Sequence, residues 1–457
     1  MDREPALPEG ARSHAGGGSG AEAVRKSGPP VQRDPVAHLF RHESGRLIAA
    51  LTRLFGVHNL ALAEDVVQEA LCRALEVWKL RGVPDNPSAW LMATAKNQAL
   101  DVLRRERTAR TFAPELGRLL ETEWTLVPTV DEALGENAIR DDELRMMFSC
   151  CHPRLTEEAQ VALVLHILCG FSVNEIANAF LSGQAAIAKR IARAKKVLAG
   201  SRRLFDLTDA EDVRGRLSAV QRALYLLFNE GYHGSCAEAV VRVDLCREAM
   251  RLAQILCKHP LAGTPASDAL LALMCLHAAR LPGRVDTGGA LSALPDQDRS
   301  QWDGALAAHG QQFLEQSARG EAISEYHVEA AIAWVHASAR RPQDTDWAQI
   351  VSLYDTLMTI QPSPVVALNR AIALAELAGP ERGLEAIQAI ADRERLAGYP
   401  FYRAALGEFE LRRGQPALAS GHFRSALELA RNATERRFLQ NRLTACECRA
   451  REVGVSQ

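Results

Sequence analysis

Aromatic residues make up only 5% of this 457-residue chain, and it has no long run of alternating Val, Ile and Thr. With the marks of strands missing, the Ala- and Leu-rich hydrophobic content, 47% in all, favours an all-α fold. The length exceeds one ordinary core and predicts several domains. There is no secretory signal and no apolar run of membrane length, so the chain reads as cytoplasmic, away from membranes, with its thiols reduced. The ten cysteines lack the CxxC spacing of strong zinc motifs. Cys150, Cys151 and His152 are adjacent and Cys169 follows one helix later, but neighbouring cysteines seldom share one ion, so neither metal nor cofactor is expected. The stretch DQDRSQWD concentrates Asp296, Asp298 and Asp303, but no nucleophile, metal-ligand set or phosphate loop accompanies them, and no enzyme is expected. Net charge is also small, at −2. That total hides basic clusters at 104–110 and 189–203 set against acid at 131–143, so it excludes no nucleic-acid partner.

Residues 1–33, with GGGSG and PP and almost no large apolar side chains, read as a disordered tail. A first helical unit spans 34–108. Phe40, Leu47, Ile48, Leu51, Leu54 and Phe55 recur at helical spacing until Gly56. A second helix, about Leu62 to Trp78, buries Val66, Ala70, Leu71, Ala74 and Trp78, leaving Asp65, Gln68, Glu69 and Cys72 together on the opposite side. A loop with Gly82, Pro84, Asp85, Asn86 and Pro87 leads to a third helix, capped by Ser88 and running to about Arg107. Its Leu91, Ala95 and Val102 point inward, while Trp90, Asn97, Asp101 and Arg104/Arg105 share an exposed stripe. Acidic faces are ordinarily just solvated, and Arg at a helix C-terminus suits the dipole alone. Yet an aromatic, an amide and paired guanidinium groups along one stripe also suit single-stranded nucleic acid.

Residues 109–139 read as an acidic linker. In the unit at 140–203, a helix from Asp141 to Cys151 carries Leu144, Met147 and Phe148, and Thr156 caps a helix through Ile167 to a turn at 169–171. Ser172 then caps a short helix, VNEIANAF; LSG with Gly183 follows, then QAAIAKRIARAKKVLA. Helix, tight turn, helix is the pattern that places a second helix in a major groove. Ile187, Ile191, Ala194 and Leu198 form its buried face. Gln184 and Lys189 are placed to read bases and Arg190, Arg193 and Lys196 to hold phosphates. Ala185 and Ala186 are small, so readout there leans on backbone contacts and shape.

Taken together these segments resemble a bacterial RNA polymerase sigma factor of the extracytoplasmic-function type, in the sigma-70 family. AEDVVQEAL is similar to the region 2 helix that docks on the polymerase β′ subunit, WLMATAKNQALDVLRR to the helices that open and hold the −10 element, and SVNEIANAF-LSG-QAAIAKRIARAKKVL to the region 4 element that reads −35. The resemblance implies core RNA polymerase, through β′ and β, and promoter DNA as partners. It assigns Asp65, Gln68, Glu69 and Cys72 to polymerase. It assigns Asp85, Asn86, Trp90, Asn97, Asp101, Arg104 and Arg105 to −10 DNA, with a flipped base captured at the loop. Gln184, Ala185, Lys189, Arg190, Arg193 and Lys196 fall to −35.

Some 250 further residues follow. Residues 204–344 read as a helical extension broken at Gly231, Gly234, Pro260, Gly263, Pro282 and Gly283. Its segments LFNEGYHGS, VRVDLCREAMRLA and ARLPGRVDTGGALSALPDQDRSQWD resemble those of a sigma-factor subgroup with a long C-terminal extension, and DQDRSQWD reads as an ion-paired turn. Residues 345–445 repeat with a period near 34, Gly379 matching Gly414, and resemble tetratricopeptide repeats whose concave face suits a peptide or protein ligand. The reading is a non-enzymatic sigma factor regulated in cis by its extension. The alternatives are a helix-turn-helix regulator with a repeat sensor that does not act as a sigma factor, and a repeat scaffold making only protein contacts.

Overall fold

The computed structural model describes residues 35–106, 136–180, 182–201, 205, 207, 209–233, 242–284, 291–430 and 433–455. The expected tail at 1–33 and most of the expected linker lie outside them. Among the described residues the fold is all-α, with no β-strand. No helix there is long and apolar enough to cross a membrane.

Helix α1 (Pro35–Phe55) is the hub of the N-terminal half. Leu47, Ile48, Leu51, Leu54 and Phe55 are buried, and the helix packs against α2 (Leu60–Arg81), α3 (Pro87–Glu106) and α4 (Glu136–Cys150). Helix α4 thus starts inside the stretch read as linker. Its acids do not stay in solvent: Asp142 and Glu143 are buried, Asp142 beside Arg53 and Arg145, Glu143 bonded to Arg251 at 2.7 Å. Buried carboxylates need such partners.

Thr156 caps α5 (Glu157–Leu163), as expected, but the helix does not run on regularly to Ile167. Val164–Leu168 widens into a π-turn. The turn is where α1 approaches most closely: a Cβ on Gly45 would meet the Leu168 carbonyl oxygen at 2.0 Å. Ser172 and Glu175 form a reciprocal cap on α6 (Val173–Ala179), Ser172 N–H donating to Glu175 at 2.9 Å and Glu175 N–H to Ser172 Oγ at 3.2 Å. Helix α7 (Gln184–Ala199) completes the helix-turn-helix, with Ile187, Ile191, Ala194 and Leu198 buried.

Helices α8 (Ala210–His233), α9 (Val243–Lys258) and α10 (Pro265–Ala278) pack against this unit. One continuous core runs from Leu47 through Leu198 to Tyr326. Gly231, read as a helix breaker, lies within α8. Its missing side chain lets α9 come close: a Cβ there would meet Cys246 N and Leu245 Cβ at 2.8 Å. Helix α11 (Gly304–Ser317) and α12 (Glu325–Ser338) close over α10.

Helices α13 (Trp347–Ile360), α14 (Pro364–Ala378), α15 (Pro380–Gln388), α16 (Pro400–Arg412), α17 (Pro416–Glu428) and α18 (Ala433–Val455) stack in sequence, α13 and α14 sharing a core with α12 and the later helices forming cores of their own. Gly379 and Gly414, with φ of 94° and 74°, make equivalent turns between paired helices. A ladder of ion pairs ties successive layers: Asp355 to Arg370, Glu376 to Arg412, and Glu408 to Arg442.

Candidate nucleic-acid interface

The 3.6-residue period of α2 sends Val66, Ala70, Leu71, Ala74 and Trp78 into the core and leaves Asp65, Gln68, Glu69 and Cys72 exposed on one side. Two large apolar side chains extend that surface: Leu75 is 57% exposed and Leu80 85%. Isolated exposed leucines mean little. These two sit one and two turns beyond the acidic group on the same helix.

Helix α3 begins one residue earlier than its expected cap. Asn86, not Ser88, is the N-cap: its Oδ1 accepts from Ala89 N–H at 3.0 Å, and Pro87 takes the first helical position, where a missing N–H costs nothing. Asn86 remains exposed, as does Asp85, but its side-chain oxygen already has a structural task. Trp90 is half-buried rather than exposed. It lies edge-on to Trp78, centroids 5.5 Å apart, and packs on the core, so it does not belong to the outward stripe. Asn97, Asp101 and Arg104 do lie outward, with Arg104 3.6 Å from Asp101. The Arg105 side chain lies outside the described residues.

On α7, Gln184, Ala185, Lys189, Arg193 and Lys196 are exposed and Arg190 half-buried. Helix α7 therefore carries a basic outer face beside its buried stripe. Lys195 differs from its neighbours. It is at i+4 from Ile191 and i−3 from Leu198, at the edge of that stripe, and it turns toward α2. Its ammonium donates to both Glu64 oxygens, at 2.6 and 2.8 Å, and to His166 Nε2 at 3.1 Å. His166, in the π-turn, donates through Nδ1 to the Phe171 carbonyl at 2.9 Å. Burial and then the Lys195 charge hold its pKa below the ordinary histidine value, in keeping with a neutral ring whose Nε2 accepts. A second junction lies at Arg41 of α1. Its guanidinium pairs with Glu175 of α6 and with Asp244 of α9 (3.3 Å), and lies 4.9 Å over the Phe171 ring. These groups join the α2/α3 hairpin, the helix-turn-helix and the extension along one seam. The sequence reading did not mark Glu64, His166 or Arg41. The signal available was Lys195 alone, a charge at the margin of a buried stripe.

Cys150, Cys151 and Cys169 are fully buried, and burial pushes the Cys151 thiol up to about 12 and the other two also upward. Such thiols are poor ligands and poor nucleophiles. Among the described residues no cluster of three His, Cys, Asp or Glu side chains is placed to hold a metal.

Residues 39–109 match the sigma-70 region 2 family, and residues 216–318 match a family of unknown function. The chain is 28% identical over 172 residues to the probable ECF RNA polymerase sigma factor SigI of Mycobacterium tuberculosis, a match covering 37% of this chain and 57% of that one. It is 25% identical over 138 residues to the ECF RNA polymerase sigma factor SigX of Bacillus subtilis, covering 30% of this chain and 68% of that one. The region 2 domain and these partial relatives support a protein of the sigma-70, ECF-like class. Along nearly its whole length, the chain belongs to the family of the uncharacterized protein R00370 of Rhizobium meliloti. The two are 39% identical over 398 residues, 87% of this chain and 92% of that protein.

Proposed function

We propose that this protein is a cytoplasmic sigma factor that recruits core RNA polymerase to promoters and leaves catalysis to the polymerase. Asp65, Gln68, Glu69 and Cys72 meet the polymerase. Asp85, Asn97, Asp101, Arg104 and Arg105 engage −10 DNA, with Asn86 and Trp90 shaping the mouth of the hairpin. Gln184, Ala185, Lys189, Arg190, Arg193 and Lys196 engage the −35 duplex. The observation that carries this reading is the pairing, within one chain, of an acidic-faced α2 with the outward Asn97/Asp101/Arg104 stripe of α3, followed by a helix-turn-helix with a basic outer face. A duplex-binding regulator would have no use for the first of these.

The extension regulates in cis. Support comes from the seam: Glu64 holds Lys195 and Arg41 holds both Glu175 and Asp244, so the two DNA-binding elements are tied to each other and to α9. The paired helices beyond Trp347 are tetratricopeptide-like, with a face for a peptide or protein. The test is run-off transcription from a promoter by core polymerase plus this protein alone, together with co-purification of the two. Initiation should depend on the protein and fall at least tenfold in Arg104→Ala/Arg105→Ala. DNA binding without core binding or initiation would replace this reading with a conventional helix-turn-helix regulator.

A further inference from the structure

A second concentration of cationic groups lies outside the DNA-binding elements, where α10 ends and α12 meets α13. Arg280 follows α10 and is only 7% exposed. Its guanidinium lies 5.5 Å over the Trp302 ring, and its buried Nε has no hydrogen-bond partner. The groups facing it are Arg284, Tyr232 and Tyr354, and among the described residues no carboxylate pairs with it. Arg299 lies 5.0 Å over the same indole. It gives its terminal nitrogens to the His336 and Ala339 carbonyls, at 2.8 and 2.5 Å, and to Thr345 Oγ1. Its Nε, Trp302 Nε1 and His336 Nδ1 are buried without partners as well. Burial first, and then the charges of Arg280 and Arg299, push the His336 pKa down to about 3.

Asp344, whose charge faces Arg299, is bonded to Arg341 at 2.9 Å, and the acids of the Trp302 segment are engaged elsewhere. Asp298 accepts from Ser300 N–H at 3.0 Å and from Gln301 Nε2 at 3.1 Å, and Asp303 caps α11 through Leu306 N–H at 2.9 Å. The segment read as an ion-paired turn thus spends these two acids on turns and caps while its arginine points inward. Arg299 has a structural task, joining the end of α12 to the start of α13. Arg280 has none of that kind. A guanidinium over one indole recovers a fraction of what its dehydration costs, and buried charges are otherwise paired. A buried guanidinium without an anionic partner is suited to take one from a ligand.

We propose that Arg280, with Arg299 Nε and Trp302 Nε1, binds a small oxyanion, the carboxylate or phosphate group of a soluble compound. Guanidinium is the side chain suited to either, because its planar fork matches both geometries. Arg299 and Trp302 are half-buried, so the cluster has an edge toward solvent through which such a group enters. This site lies in the segment matched by the family of unknown function and does not depend on the chain being a sigma factor.

Thermal unfolding of the full-length protein tests it, with inorganic phosphate or succinate compared against sodium chloride of equal ionic strength. At least one oxyanion should raise the midpoint by several degrees over the chloride control. Arg280→Met should abolish that rise without lowering the midpoint measured in chloride, since it removes a buried unpaired charge. Arg280→Lys, which keeps the charge and loses the fork, should weaken binding at least tenfold by titration calorimetry, and it carries the test if Arg280→Met does not fold. A response to phosphate alone identifies a phosphorylated compound, and one to succinate alone a carboxylic acid. No rise beyond chloride, or a rise kept in both variants, overturns the proposal.

Discussion

Replacing Lys195 by Met should loosen the seam between α7 and α2 while keeping the side-chain stem packed. The ammonium sits 2.6 and 2.8 Å from the two Glu64 oxygens, with the lysine 26% and the glutamate 19% exposed. At an effective dielectric constant near 20 the Coulomb attraction of two charges about 4 Å apart is about 4 kcal/mol. Dehydration of the two groups takes back a large part of it, and charge-assisted hydrogen bonds of this kind net on the order of 1.5–3 kcal/mol. Since 1.4 kcal/mol is about a factor of ten, opening of the seam should become roughly 10- to 100-fold more frequent. Native-state hydrogen exchange reads this directly: amides of α7 and of the first turns of α2 should exchange faster by that factor in Lys195→Met. Glu64→Gln should act similarly, and the double variant should be scarcely worse than either single one. If the two effects simply add, to within about 0.3–0.5 kcal/mol, the groups are not coupled and the reasoning fails.

Other outcomes follow from neighbouring groups. His166 has a depressed pKa in the closed seam, so the opened form binds its proton more readily; the seam should be at full strength above the ordinary histidine value of about 6.5 and weaken as pH falls below it. Exchange measured against pH should show this, His166→Gln should flatten it, and a seam that tightens toward acid would contradict the assigned hydrogen bonds. Gly45→Ala should lower the urea midpoint, because its Cβ would sit 2.0 Å from the Leu168 carbonyl and overpacking costs about 1–3 kcal/mol. An unchanged midpoint would show that α1 and the π-turn do not meet. Asn86→Ala should cost about 1 kcal/mol of stability through loss of the α3 cap, whereas a side chain used only to contact DNA would leave stability untouched. Finally, Arg193→Ala/Lys196→Ala should reduce the slope of log affinity against log salt for duplex DNA by about 1.8, at roughly 0.9 per phosphate contact; an unchanged slope would remove both from the interface.

What sequence reasoning resolved and missed divides by range. The faces of α2 and the buried stripe of α7 follow from residues three and four apart on one helix, and those were legible. Asn86 was also within reach, since a Pro immediately after a capping residue favours that residue over Ser88. Trp90 was misjudged because its cover comes from Trp78, on a different helix, and no spacing within α3 reveals that. Gly231 looked like a helix end until the close approach of α9 gave it a packing role. The seam was invisible for the same reason at longer range: Glu64 and Lys195 are 131 positions apart, and only the fold brings them together.

That seam has a geometric consequence for promoter recognition. Elements centred near −35 and −10 are about 25 base pairs apart, or about 85 Å along B-form DNA at 3.4 Å per pair. From Lys195 to the start of α7 at Gln184 is about 17 Å of helix, and from Glu64 to the end of α2 at Arg81 about 26 Å, at 1.5 Å per residue. Since α3 folds back along α2, the contact at Glu64 keeps the two DNA-facing surfaces far closer than 85 Å. In the proposed function, therefore, the seam must part before both elements are engaged at once. In the proposed regulation in cis, Arg41 supplies a link, because it binds Glu175 in the helix-turn-helix and Asp244 in the extension with one guanidinium. A ligand or partner that shifts α9 away from Arg41 removes a polar contact at a boundary that the core running from Leu47 to Leu198 also holds closed.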